Sequence, residues 1–318
     1  MLKYFSASKW LGDFGSLSRA MSQFDGRLAV LPYEIGSIAA SSIPAGLRSK
    51  VAAVIGPIAY LASKKNKRLS AFEAQRLASF GLEDRNLLTR RTIEAFSSYV
   101  LYWLESLAMA RSGREKLLHN LSYEGCDELV GYLRGGHGAI LATCHLGNWD
   151  WGGSWFAAYQ HPLAAVVENL KPESVAEWFF SYRKELGIDP IPLDGPVAAR
   201  VIQAVKDGKL VALLSDRDLS GSGVVVDFFR ERVRMPSGAS VLSLRTKSPI
   251  FPAAVYLTPH GGHHVVFLDP IFPADAVGTS VAEKVAHMTQ LVTSALETLI
   301  AEKPTQWHVL QPLSIEGR

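Results

Sequence analysis

The sequence predicts an α/β protein: a largely parallel or mixed sheet flanked by helices, preceded by a helical N-terminal region. Three observations carry that prediction. After Gly135, short apolar runs alternate with helical segments, the pattern of strand–helix–strand units whose helices carry the chain back over a sheet. Up to about residue 125, apolar residues recur instead at helical spacing. The 318 residues include 48% hydrophobic and 20% charged side chains, which excludes global disorder and allows one large domain or two.

The elements follow in order. Residues 1–125 read as a helical, membrane-docking region and 126–318 as an α/β core. Within the first part, 28–47 and 51–63 are apolar but broken by Pro32, Glu34, Pro44 and Pro57. Neither supplies the run of about 20 apolar residues that a membrane span needs. Lys3 and Lys9 followed by Asp13 do not read as a leader segment. Ile93, Phe96, Val100, Trp103, Leu104 and Leu107 form one amphipathic helix whose aromatic stripe is expected to pack in a core. Strands are expected at 139–143, 163–167, 188–193, 210–214, 224–229, 250–257 and 265–268. Helices are expected at 149–158, 172–186, 197–207, 237–246 and 281–301.

Charge is unevenly spread. Residues 1–118 carry a net +8 and the remainder −5, so the first third either presents a basic solvated face or meets an anionic surface. No zinc-finger spacing or basic–aromatic interleave accompanies the charge, so nucleic acid is not the expected partner. An anionic membrane surface fits better, because an apolar stretch runs directly into Lys64, Lys65, Lys67 and Arg68. Cys126 and Cys144 are the two cysteines, too few for a disulfide framework or a four-thiolate zinc site, and a reducing intracellular compartment is expected.

In parallel sheets, ligands sit beyond the carboxyl ends of the strands, and the residues that could carry chemistry fall there. In GAILATCHLGNWDWGG (138–153), His145 follows a strand run and Asp150 opens a helix. A carboxylate there can fix an imidazole tautomer and leave the other ring nitrogen as a base. The alternative is a helix-entry His with Asp150 serving the helix dipole. Cys144 points to the opposite strand face from His145, so a thiol–imidazole dyad is not expected. A second strand ends in Ser215-Asp216-Arg217-Asp218, which makes Asp216 a second candidate to orient His145, with Ser222 in the polar loop beyond. In 168–187, Arg183 and Lys184 near a helix end either complement its dipole or bind phosphates. G-x-S-x-G, P-loop and G-x-G-x-x-G motifs are absent. His260, His263 and His264 read as a turn and a strand rather than a metal site.

Together these stretches resemble a known family. His145-Leu-Gly-Asn-Trp-Asp150 is similar to the His-x-x-x-x-Asp motif of glycerolipid-type acyltransferases, in the branch of the bacterial lipid A late acyltransferases. Glu168 to Ser174, Tyr182-Arg183 to Leu186-Gly187, Asp216-Arg-Asp-Leu219, Ser222-Gly-Val, Asp227-Phe-Phe229, Arg234-Met-Pro236 and Trp307-His308 to Pro312 together resemble the actinobacterial phosphatidylinositol mannoside acyltransferases. The resemblance implies transfer of a palmitoyl-type chain from acyl-CoA to a mannose hydroxyl of a phosphatidylinositol mannoside. It implies a peripheral enzyme on the cytoplasmic face of the plasma membrane, with acyl-CoA as co-substrate and neither metal nor other cofactor. It also implies His145 as base, Asp216 as its acidic partner and Asp150 as the end of the motif. Arg183, Ser222 and Arg245 would line acyl-CoA. Three positions depart from the mannoside enzymes: Asp216 stands where they carry Glu, Arg230 where glycine is usual, and Arg245 where related enzymes carry an acid. Transfer to another lipid-linked sugar, such as a lipid A precursor, or a non-catalytic membrane-surface protein, are the other readings.

Overall fold

The computed structural model describes residues 26–79, 81–111, 120–168, 170–218 and 221–313. Lys3, Lys9, Asp13 and Leu219, named above, lie outside the described residues, as do Asn169 within the Glu168–Ser174 block and Ser220 in the polar loop. Among the described residues, four helices come first: α1 (Gly26–Ser42), α2 (Ala45–Ala62), α3 (Lys65–Ala78) and α4 (Arg85–Met109). Asp84 caps α4, accepting the backbone N–H groups of Asn86 and Leu87 at 2.8 and 3.2 Å, which satisfies donors that a helix start leaves open. The other three helices pack on α4. Gly56 of α2 lies so close to Ser97 of α4 that any side chain there would collide with it. Among the described residues, no helix is long and apolar enough to cross a membrane.

The rest alternates as expected. It contains β1 (Leu121–Glu124), α5 (Cys126–Arg134), β2 (Ala139–Gly147), α6 (Trp149–Tyr159), β3 (Leu163–Val167), α7 (Glu173–Glu185) and β4 (Ile188–Pro192). Then come α8 (Val197–Lys206), β5 (Leu210–Leu214), β6 (Val224–Phe228), β7 (Glu231–Met235), α9 (Gly238–Thr246), β8 (Ile250–Thr258), β9 (Gly262–Phe267) and α10 (Val281–Glu302). Seven strands form one sheet in the order β1-β9-β8-β2-β5-β3-β4. β8, β2, β5, β3 and β4 run parallel, while β9 is antiparallel to β8 and β1 follows β9. The α/β class and the largely parallel, mixed sheet are as the sequence predicts.

Two elements differ from the expectation. Residues 121–124 form an edge strand rather than part of a helix; the strand is short and mostly exposed, so it carries no hydrophobic alternation. The run 224–229 ends one residue early and turns back into β7, a separate hairpin with β6. Its two turn residues, Phe229 and Arg230, both have positive φ, 48° and 63°. Such turns favour Asn-Gly, and a glycine at position 230 would meet that need without strain.

The sheet is covered on both faces. Ile140, Ala142, Cys144 and Leu146 of β2 face one core with Ala74, Val205, Leu242, Val292 and Leu296 from α3, α8, α9 and α10. Ala139, Leu163, Leu210 and Phe251 face the other, with Leu129, Trp155 and Phe179 from α5, α6 and α7. This alternation buries Cys144 in the first core, as its strand position requires, and burial pushes its thiol well up.

Candidate active site

The centre of the sheet sets the site. β2 and β5 pair in parallel with Thr143 opposite Leu214, and Ser215 N–H donates to Thr143 O at 2.8 Å. Two residues further along each chain stand His145 and Asp216. Parallel register therefore brings them together at the carboxyl edge, although 71 residues separate them. β2 extends through His145 to Gly147, and its pairing with β8 shifts register between Thr143 and Gly147. Gly147 has φ +58°, and a Cβ there would collide with Val255 O. The glycine of the motif is thus a steric requirement of the bend that follows His145.

Asp216 is fully buried and accepts from three donors. His145 Nδ1–H meets Oδ1 at 2.7 Å, while Oδ2 accepts the His145 backbone N–H at 2.9 Å and Trp307 Nε1–H at 2.8 Å. Burial pushes the Asp216 carboxyl up, but the imidazole, its hydrogen bonds and the Arg217 cation outweigh burial and hold it below the ordinary carboxylate range. With Nδ1–H committed to Asp216, Nε2 carries the lone pair. Arg217 Nη2 stands 3.1 Å from Nε2. Burial pushes the imidazole down from its ordinary value, and the attraction of Asp216 does not restore it. The His145 imidazole is accordingly oriented by Asp216 and favoured in its neutral form.

Asp150 takes another part. It lies in the first turn of α6, where its Oδ1 accepts Arg183 Nε–H at 3.2 Å and its Oδ2 accepts Tyr102 O–H at 2.8 Å and Arg183 Nη2 at 3.4 Å. Arg183 thus reaches from α7 to a buried carboxylate rather than only complementing its own helix end. Burial lowers its pKa, but Asp150 and the phenols of Tyr102 and Tyr182 more than offset this. Trp149 joins the two groups, stacked on Tyr102 at 4.1 Å and edge-on to His145 at 5.1 Å.

Beneath this lies a third polar cluster. Asn148 caps α6 by accepting Trp151 N–H at 3.0 Å and donates Nδ2–H to Glu105 Oε2 at 2.8 Å. His263 of β9 lies 3.0 Å from the same oxygen and stacks on Trp151 at 4.2 Å. Glu105 on α4 therefore fixes the motif loop from the N-terminal helices.

Of the sequence candidates, His145 and Asp216 come into direct contact, and Asp150 and Arg183 form the neighbouring ion pair. Ser222 lies exposed in the β5–β6 loop at the same edge, where Asp218 accepts the backbone N–H groups of Gly221 and Gly223 at 3.1 and 2.8 Å. Arg245 is not brought there. α9 runs from the carboxyl edge back to Ile250, which pairs with Ile140 at the start of β2, so its last turn places exposed Arg245 at the opposite edge.

Sequence reasoning assigned no role to Trp307, Arg217, Tyr102 or Glu105. Tyr102 and Glu105 lie on the helix read as core packing, and their polar ends find buried partners. Trp307 carried a signal only as part of the terminal block.

The chain resembles known proteins over most of this structure. A family model described as bacterial lipid A biosynthesis acyltransferase matches residues 47–314. The phosphatidylinositol mannoside acyltransferase of Mycolicibacterium smegmatis is 34% identical over 221 residues, 69% of this chain and 70% of that protein. The protein of the same name from Mycobacterium tuberculosis is 34% identical over 224 residues, 69% of this chain and 68% of its own.

Proposed function

Because the chain belongs to the bacterial lipid A biosynthesis acyltransferase family, we propose that this acyltransferase moves a long, palmitoyl-type chain from acyl-CoA to a mannose hydroxyl of a phosphatidylinositol mannoside. The observation that carries the chemistry is the His145 imidazole at the carboxyl edge, fixed through Nδ1 by Asp216 with Nε2 turned to the Arg217 guanidinium, in surroundings whose burial favours its neutral form. Nε2 takes the proton of the sugar hydroxyl as its oxygen attacks the thioester carbonyl, and the CoA thiolate leaves with little acid help because thiols are already fairly acidic. No covalent enzyme intermediate is involved, and the reading calls on no metal or other cofactor. A positioned base contributes about 10²–10⁴ in rate. The acceptor is read from the names of the mycobacterial relatives. Arg183 and Ser222 are the acyl-CoA contacts in this reading.

The test is thiol release from palmitoyl-CoA by the purified protein, alone, with a mannosylated phosphoinositide and with a lipid A precursor. Release that depends on the mannoside supports the reading; release that depends on the lipid A precursor overturns the acceptor. His145→Ala should fold, by circular dichroism and melting, yet lose transfer by at least 100-fold.

The same proposal puts the enzyme peripherally on the cytoplasmic face of the plasma membrane. Leu28, Leu31, Ile35 and Ile38 of α1 and Val54, Ile58 and Leu61 of α2 are exposed apolar side chains at helical spacing. Lys64 and Lys65 follow them at the surface, and Arg68 packs over Tyr60. Each basic residue near an anionic bilayer contributes about 1 kcal/mol. Replacing Lys64, Lys65, Lys67 and Arg68 by Gln should therefore weaken co-sedimentation with anionic vesicles, most at low salt. Equal binding to neutral and anionic vesicles would remove the electrostatic part.

A further inference from the structure

Nε2 of His145, the nitrogen left for proton transfer once Nδ1–H is bound to Asp216, faces the guanidinium of Arg217. Its Nη2 lies 3.1 Å away, and since a guanidinium stays protonated and only donates, the contact is N–H to the Nε2 lone pair. That is the place an acceptor hydroxyl must take to lose its proton. Arg217 is also deeply buried, 7% exposed, so its charge acts through little water. Asp216, Tyr99 of α4 and Glu168, just beyond β3, act on its charge.

We propose that Arg217 is the oxyanion donor of the transfer reaction: it holds the place of the acceptor hydroxyl on Nε2 until substrate binds, and then turns its Nη2–H onto the thioester carbonyl oxygen. The inference rests on the transferase reading above. A hydroxyl oxygen hydrogen-bonded to Nε2 attacks a carbonyl carbon about 3 Å away, and the carbonyl oxygen lies one bond beyond that carbon. A donor already 3.1 Å from Nε2 needs to swing only by about one hydrogen-bond length to meet it. The hydroxyl proton passes to Nε2, the C–O bond forms, and the carbonyl electron pair moves onto oxygen, facing the guanidinium. Collapse breaks the C–S bond, expels the CoA thiolate, and the imidazolium returns its proton to sulfur.

A cation so close to Nε2 also opposes protonation of the imidazole before substrate arrives. The other charged or titratable groups acting on that ring are Asp216 from the β5 loop, Asp150 from α6 and His308 from the C-terminal segment.

Arg217→Gln and Arg217→Lys test the proposal, with kcat, KM for palmitoyl-CoA, the pH profile and an NMR titration of His145 in the protein without substrate. Acyl-CoA hydrolysis without acceptor passes through the same oxyanion, so it is measured alongside transfer. Arg217→Gln is expected to lower kcat in both reactions by about 10²–10³, the loss typical of one oxyanion donor, with KM changed less than threefold. The His145 titration and the acid limb should both move up in pH, and Arg217→Lys should recover part of kcat. An unchanged kcat, a loss confined to KM, or lost activity with an unmoved His145 titration would each overturn the proposal. A wild type that transfers to none of the acceptors but whose hydrolysis responds to Arg217→Gln as described would overturn the acceptor reading alone.

Discussion

Two aspartates flank the same histidine, and they do different things. Asp150 is five positions from His145 in the motif, yet its carboxylate oxygens go to Arg183 and Tyr102. Asp216 is 71 positions away and accepts the imidazole Nδ1–H. The difference lies in which element carries each one. A first-turn helical position faces whatever packs beside that helix, here α4 and α7. A strand-end position faces the end of the neighbouring parallel strand. Motif spacing in the chain therefore says where Asp150 sits, and sheet register says which carboxylate meets the imidazole.

The sharpest way to break this comparison is to neutralise each carboxylate in turn. Asp216→Asn replaces an acceptor of three hydrogen bonds by an amide, and the preference for the Nδ1–H tautomer disappears. A wrong tautomer in the serine-protease triad costs about 10⁴ in kcat, and kcat should fall here by about 10³ or more with KM for acyl-CoA within threefold. If KM collapses while kcat holds, Asp216 is a binding residue and the pairing has been misassigned.

Asp150→Asn should act on stability first. It leaves the Arg183 guanidinium, only 17% exposed, without its carboxylate. Breaking a buried pair in this way costs about 3 kcal/mol, read as a lower denaturant midpoint at constant slope. Removing both partners in Asp150→Asn/Arg183→Met should cost less than the sum of the two single changes. Additive losses would mean that the pair is not coupled, and a kcat loss as large as that of Asp216→Asn would erase the distinction between the two aspartates.

How much of this was legible beforehand follows the same division. The parallel strands were readable because they are buried on both faces and so appear as unbroken apolar runs, 139–143 and 210–214 among them. His145 and Asp216 could both be placed at strand ends, but two carboxylates remained open as its partner, because register is a property of two strands and not of either sequence. β1 was illegible because LSYE is a half-exposed edge, and β7 because ERVRM carries three charges after a turn without Asn or Gly. Trp307 closes on Asp216 from a position 91 residues downstream, with no local pattern to announce it. Tyr102 and Glu105 were hidden because they lie off the apolar stripe read as core: of Ile93, Phe96, Val100, Trp103, Leu104 and Leu107 only Phe96 is buried and the rest are half-buried, while Thr92, Tyr102, Glu105 and Ser106 are on the buried face. Apolar spacing on a helix packed on several sides does not single out its most buried face.

The smallest effect is the most discriminating, because it compares both aspartates in one titration. Burial holds the His145 imidazole below its ordinary value of 6.5, so the neutral form that the proposed base requires prevails above pH 6.5. The acid limb of kcat/KM, which reports the free enzyme, should lie below that pH. His308, whose backbone N–H donates to His145 O at 2.7 Å, is pushed down to about 3 by burial and by the neighbouring imidazole. Both histidines bind protons more readily unfolded than folded. Their contribution to stability is complete above about 6.5 and is lost as pH falls toward each folded value. Asp216, held low, charges the other way: its contribution persists above the unfolded carboxylate value and is lost only as pH falls through its lower folded one. Asp216→Asn removes the attraction that partly offsets burial at His145, so the imidazole titration should move further down. Asp150 also favours the charged ring, but as a weaker cause without a hydrogen bond to it. Asp150→Asn should therefore move the same titration in the same direction by a smaller amount. NMR titration of His145 in the two variants checks this ordering, and equal shifts, or a larger one from Asp150→Asn, would return Asp150 to the place of the imidazole's partner.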